Sequence, residues 1–228
     1  MSRTVAFAYA GARVQGRYGQ LLSENQWERL ARIPDFGLFV QTARDTALRP
    51  WVVNLDAHTE PHALEASLRA QFRLRVRAVA HWAPAPWRPA LRWIEVLPEL
   101  SAAVHLLGGK PAYPWMAGEP ATVLTRAWGE GRGLATAWFE HWRSLWPAAD
   151  PALERLTRLG QHVLKHAQHE DAGAAATRLR PVLRRLFRSH TRAPAGLVAY
   201  LALSWLELMA LRGALLRRRF TLPTELAA

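Results

Sequence analysis

Apolar residues recur at intervals of three and four along nearly the whole chain, and prolines and small polar residues cut that pattern into short lengths. This spacing places side chains on one face of an α-helix, whose period is 3.6 residues. Runs that alternate with period two are few, so strands have little sequence to form from. The expected fold is all-α. It is built of helical bundle modules that must bury their apolar faces against one another.

The punctuation sets the segments. Val5 to Leu22 reads as a first helix rich in Ala and Arg. Ser23-Glu24-Asn25-Gln26 is a capping box: the serine accepts a backbone N–H and Gln26 reaches back. Trp27, Leu30 and Ala31 follow on one face, and Pro34 ends that helix. Asp35 is positioned to cap a short helix carrying Phe36, Phe39 and Val40. After Pro50, Thr59 is the expected cap of a long helix with Pro61 in its first turn. Leu64, Leu68, Phe72, Val76 and Val79 make its apolar stripe. Pro84, Pro86 and Pro89 form a connector, and a helix from Ala90 to Leu107 meets a kink or early break at Pro98. Residues 110–133 look irregular, with a short helix near Val123–Trp128. Leu134–Trp146 is an aromatic helix. Asp150 and Pro151 open another, which runs to about His169. Gly173 separates it from Ala174–Ser189, and Pro194 precedes a last helix, Ala195–Phe220.

Two stretches echo each other. Pro61-His62-Ala63-Leu64-Glu65-Ala66-Ser67-Leu68 is similar to Asp150-Pro151-Ala152-Leu153-Glu154-Arg155-Leu156-Thr157. Each precedes a tryptophan-containing helix with one acid: Trp93 with Glu95, and Trp205 with Glu207. An imperfect repeat is the economical reading. It divides the chain into a first helical module (1–110), an irregular connector with an aromatic helix (111–147) and a second helical module (148–228).

Charge narrows the partners. The formal net charge is +12, and of the basic residues only Lys110 and Lys165 are lysines. Such an excess favours acidic partners, although genomic base composition also enriches arginine. With no cysteine, disulfides, thiolate metal sites and a cysteine nucleophile are excluded. A reducing compartment fits that absence. Met1 to Tyr9 does not read as a secretory signal. Ala195 to Leu216 is apolar enough to suggest a membrane span. Yet Glu207 and Arg212 would each cost about 2.5–3.5 kcal/mol at a bilayer centre, so a buried core helix is expected.

Catalytic chemistry finds little support. Gly108-Gly109-Lys110 lacks the earlier glycine and the following Ser or Thr of a phosphate loop. His162, His166 and His169 share a helical face beside Glu170, but no Glu follows His162 as in a zinc-protease helix. His58 and His62 flank a helix start interrupted by Pro61. No second acid or nucleophile accompanies Glu95 or Glu207 at a spacing that suggests a general acid–base pair. No cofactor, metal or catalytic residue is expected.

The order of several motifs is similar to that of the C-subunit family of V/A-type ATPases, whose member in eukaryotic V-ATPases is the d subunit. At the N-terminus stand Tyr9-Ala10-x-Ala12-Arg13-Val14, the pair Leu21-Leu22, Trp27 with Leu30, the helix after Asp35, and Arg44-Asp45-Thr46. Near the C-terminus, Tyr200-Leu201 and Glu207-Leu208-Met209-Ala210-Leu211-Arg212 resemble the family's Tyr-Leu…Glu-Ile-x-Asn-Leu-Arg helix, with Ala210 at the asparagine. Phe220 to Leu226 resembles its closing turn. Pro98 stands near Glu95 where the family pattern differs. Family members typically have three modules arranged as a funnel, and two are legible here.

The resemblance implies a non-catalytic socket on the cytoplasmic side of a membrane rotor ring. Such a socket receives the central stalk and passes torque between ATP chemistry and ion movement. Tyr9, Arg13, Glu95, Tyr200, Glu207 and Arg212 are the residues that carry the family pattern. Arg180, Arg184, Arg188, Arg212 and Arg217 are the candidates to grip acidic groups on a stalk or ring, since a guanidinium fork pairs bidentately with carboxylates. For Arg217 to Arg219 a competing role is a solvated face with favourable charge at a helix C-terminus. Glu95 and Glu207 are expected to pair with nearby arginines inside the fold, with contact to a partner as the other reading. The alternative function is a basic helical nucleic-acid-binding protein, which needs arginines and aromatics on one exposed face. A weaker third is attachment to anionic lipid.

Overall fold

The computed structural model describes residues 6–116, 118–166 and 172–220, with side chains outside 162–176. Among these residues the fold is all-α, without strands. The helices are α1 (Ala8–Tyr18), α2 (Glu24–Ala31), α3 (Phe36–Arg44), the single turn α4 (Arg49–Val52) and the long α5 (Pro61–Trp82). A 3₁₀ turn, Ala85–Trp87, leads into α6 (Arg88–Trp93), and a second, Ile94–Glu99, into α7 (Leu100–Leu107). There follow α8 (Thr122–Gly129), α9 (Leu134–Ser144), α10 (Pro151–His166), α11 (Ala172–Ser189) and α12 (Pro194–Phe220).

Local chemistry explains most boundaries. The capping box at Ser23 forms in both directions. Asp35 accepts the Leu38 N–H at 2.7 Å. Asp150 accepts those of Ala152 and Leu153 at 2.9 and 3.2 Å. Thr59 does not cap α5. Its hydroxyl accepts from the Asp56 N–H and bonds the Asp56 carboxylate instead, which leaves Glu60 at the cap position, where its side chain makes no capping bond to the helix.

Two other boundaries differ from expectation and one follows it. The first helix stops at Tyr18 rather than Leu22, and residues 19–22 turn the chain toward α2. As expected at Pro98, the 90–107 segment breaks: two helices are joined by a 3₁₀ stretch containing that proline, which has no N–H to continue an α-helical ladder. Gly173 lies inside α11 rather than before it.

One hydrophobic cluster runs from Phe7 to Leu215. The α5 stripe of Leu64, Leu68, Phe72, Val76 and Val79 is fully buried in it. Each such side chain contributes roughly 1.5–3 kcal/mol by leaving water. The centre is α12, which packs on α11, α5, α10, α1 and α3. It is long and apolar enough to cross a membrane, but most of its apolar stretch is buried by the other helices. That is the core helix expected from Glu207 and Arg212.

The aromatic helix α9 is fastened to α6 by indole N–H groups. Trp142 donates to the Ala90 carbonyl at 2.9 Å, and Trp93 donates to the Trp138 carbonyl at 3.1 Å. Glycines allow the closest approaches elsewhere. A Cβ on Gly11 would collide with the Thr191 carbonyl, and one on Gly196 with that of His190. The turn between α11 and α12 is therefore clasped against α1.

Candidate functional site

Glu207 is placed by α12 at the heart of the bundle and is 3% exposed. Its Oε2 accepts from Trp51 Nε1 at 2.8 Å and from the Arg75 guanidinium at 3.3 Å. Its Oε1 accepts the Leu22 backbone N–H at 3.4 Å. Arg75 also reaches Ser204 Oγ at 3.4 Å and lies over the Trp51 ring, 4.2 Å from its centroid. One carboxylate thus ties α12 to α4, to α5 and to the turn that follows α1. A buried carboxylate is tolerable only with such partners.

A second charged cluster lies further along α12. Arg212 pairs with Glu65, and Glu65 faces Arg69 one turn on, at 3.5 Å. Arg69 in turn bonds Glu99 and the Pro98 carbonyl at 2.7 and 2.6 Å, beneath the Trp115 ring. Arg73 also reaches Glu99, at 3.1 Å. The 3₁₀ joint therefore does more than break a helix: it presents the Pro98 carbonyl and the Glu99 carboxylate to a buried arginine.

The sequence-selected residues divide between these clusters and the surface. Glu207 and Tyr200 are buried on α12, and Arg212 is committed to Glu65. Glu95 pairs with Arg77 at 3.1 Å but is partly exposed, so the two acids of the repeat occupy unlike environments. Tyr9 and Arg13 are exposed. Arg13 lies over Tyr9 and over Trp82, which also carries Arg17, 4.9 Å from its centroid. Arg184 approaches Glu24 at 4.0 Å, whereas Arg188 and Arg217 are exposed. Arg180 is half-buried. Burial holds its pKa below the usual arginine value, helped by Arg184 and opposed by Glu207 and Glu24.

The 217–219 run is not a uniform solvated face. Arg218 donates to the carbonyls of Leu30, Ala31 and Ile33 and so closes the C-terminal end of α2. Its pKa is lowered by burial and then by Arg217. Arg219 bonds Glu60 at 3.1 Å. The histidine face of 162–169 lies outside the described side chains. Among the described residues no three His, Cys, Asp or Glu are grouped to hold a metal ion.

Sequence reasoning passed over Arg75, Trp51, Arg69 and Glu99. A signal existed for two of them. Arg75 and Arg69 each stand three or four residues from members of the buried α5 stripe, where a charge demands a buried partner.

Glu207 also lies at a cavity of about 500 Å³ between α1, α4, α5 and α12, lined by Arg17, Gln20, Gln71, Arg75 and Tyr200 among others. By contrast, the cavity among Trp138, Trp142, Trp205 and Leu183 is apolar and about 70 Å³. No protein-family model, curated protein or solved structure matches the chain.

Proposed function

We propose that this chain is the non-catalytic socket that joins the central stalk of a rotary V/A-type ATPase to its membrane proteolipid ring, on the cytoplasmic face. In this role it supports transport of protons or sodium ions. The observation that carries the reading is the meeting of Glu207 with Leu22. Both belong to the segments whose order resembles the C-subunit family, and they stand 185 residues apart in the chain. A pattern split between the two ends of a sequence is more telling when its members share one hydrogen-bonded site.

The physical properties suit the role. Torque transfer needs a body that does not deform, and close-packed helices have low compressibility. Buried ion pairs at two levels of α12 hold its register against α5. Arg188 stands at the surface, where acidic groups of a stalk or ring would meet it, Arg217 is exposed on α12, and among the described residues Arg184 has a long contact to Glu24. Much of the remaining arginine is used inside the fold, as Arg69, Arg75, Arg212 and Arg218 are. This leaves less basic surface for a nucleic-acid backbone than the net charge suggests.

Affinity purification of the tagged chain from its native membranes tests the proposal. Ring and central-stalk proteins should be recovered together with it, and Arg188→Glu with Arg217→Glu should reduce their yield. Recovery of nucleic acid without rotor proteins, with affinity falling steeply between about 50 and 200 mM salt, would overturn it.

A further inference from the structure

The cavity beside Glu207 has the composition of a ligand site rather than a packing defect. Its volume of about 500 Å³ lies within the range of roughly 300–1,000 Å³ usual for small-molecule pockets. Its floor is neutral as a whole, because Glu207 is matched by Arg75. The remaining charged group on its wall is Arg17, and no second acid lines it. The cavity therefore carries one uncompensated positive charge.

Its polar groups are also uncommitted. Tyr200 lines the cavity and is 1% exposed, yet its hydroxyl has no hydrogen-bond partner among the described residues. The side-chain amides of Gln20 and Gln71 are likewise without protein partners there. Arg17 is exposed and lies over the Trp82 ring, 4.9 Å from its centroid. A guanidinium over a ring keeps its edge N–H donors for an acceptor. The Tyr200 hydroxyl is not sealed from water, so it opens onto the cavity, where an external partner can meet it. Four polar groups lining one cavity, with one net positive charge, select an anion that carries further acceptors.

We propose that this cavity is a binding site for a small polar anion. Its carboxylate or phosphate group is held by Arg17, and its body is held by Tyr200, Gln20 and Gln71 over the Glu207–Arg75 floor. The site stands apart from the socket role, so failure of either leaves the other intact. It requires no bond to be made or broken.

Isothermal titration of the full chain at fixed ionic strength, with inorganic phosphate, citrate and L-glutamate as separate probes, tests the site. At least one probe should bind one-to-one with Kd below about 1 mM, and comparison of the three separates phosphate from carboxylate chemistry. Arg17→Gln should weaken binding at least about tenfold, the size expected for one charge-assisted contact. Tyr200→Phe should weaken it severalfold while leaving the melting temperature of the free protein unchanged, which a purely structural tyrosine would not do. Arg126→Gln, at an exposed position of α8, should leave binding as it was. Absence of one-to-one binding by all three probes up to 10 mM (roughly the weakest site of use) would overturn the proposal. So would equal losses in Arg17→Gln and Arg126→Gln, since that pattern marks diffuse charge attraction.

Discussion

Replacing Glu207 by glutamine isolates the electrostatic part of the central contact, because shape and volume are conserved. Three donors converge on the carboxylate: Trp51 Nε1 at 2.8 Å, Arg75 at 3.3 Å and the Leu22 N–H at 3.4 Å. Glutamine offers one oxygen and one NH₂ group. Its better orientation keeps the oxygen on Trp51 and Arg75, and the NH₂ then faces the Leu22 N–H, donor against donor.

The lost long bond and the unmet N–H together cost about 1 kcal/mol. Arg75, whose side chain is only 11% exposed, also loses its charge partner. Breaking a buried pair costs about 3–5 kcal/mol. The bond to Ser204 and the stacking on Trp51 remain, so the low end applies. The expected total is about 4 kcal/mol, or a fall in Tm of roughly 8–16 °C for a chain of this size.

Urea unfolding followed by circular dichroism measures the loss, and the cycle with Arg75→Gln measures the coupling. It should be about 1.5 kcal/mol or more. A Glu207→Gln cost below about 1 kcal/mol, or coupling within error of zero, would refute the claim that this pair organises the bundle.

Gly11→Ala and Gly196→Ala should each destabilise by about 1–3 kcal/mol or more, read in the same urea assay, because the added Cβ meets backbone carbonyls of Thr191 and His190 that cannot rotate away. Arg218→Gln should cost about 1–2 kcal/mol and raise amide exchange at the C-terminal end of α2, where its guanidinium holds three carbonyls; unchanged exchange there would sink that assignment. The Asp56 carboxyl, held below the usual aspartate pKa first by the His58 N–H and then by the Thr59 hydroxyl, should titrate below 3.8 by NMR. Since the folded value is the lower one, its contribution is complete above the unfolded pKa and is lost as pH falls through the folded value. Thr59→Val should move that midpoint upward.

How far the sequence can be read here depends on the range of the forces involved. The capping box at Ser23, the caps at Asp35 and Asp150 and the α5 stripe involve residues within a few helical turns, so their chemistry is complete in a short window of sequence. The all-α class and the burial of α12 follow from the same local period and from the cost of its two charges. Where a local rule failed, a nearby competitor had won: Thr59 served Asp56 rather than the helix. The break at Pro98 was local and expected, and it took the form of a 3₁₀ joint. The pairing of Glu207 with Arg75, Trp51 and Leu22, the use of Arg218 to close α2, and the cavity under Tyr200 were decided by packing alone. A charged side chain announces that it needs a partner, but the partner is chosen by which helices the hydrophobic core brings together, and that choice is made across the whole chain at once.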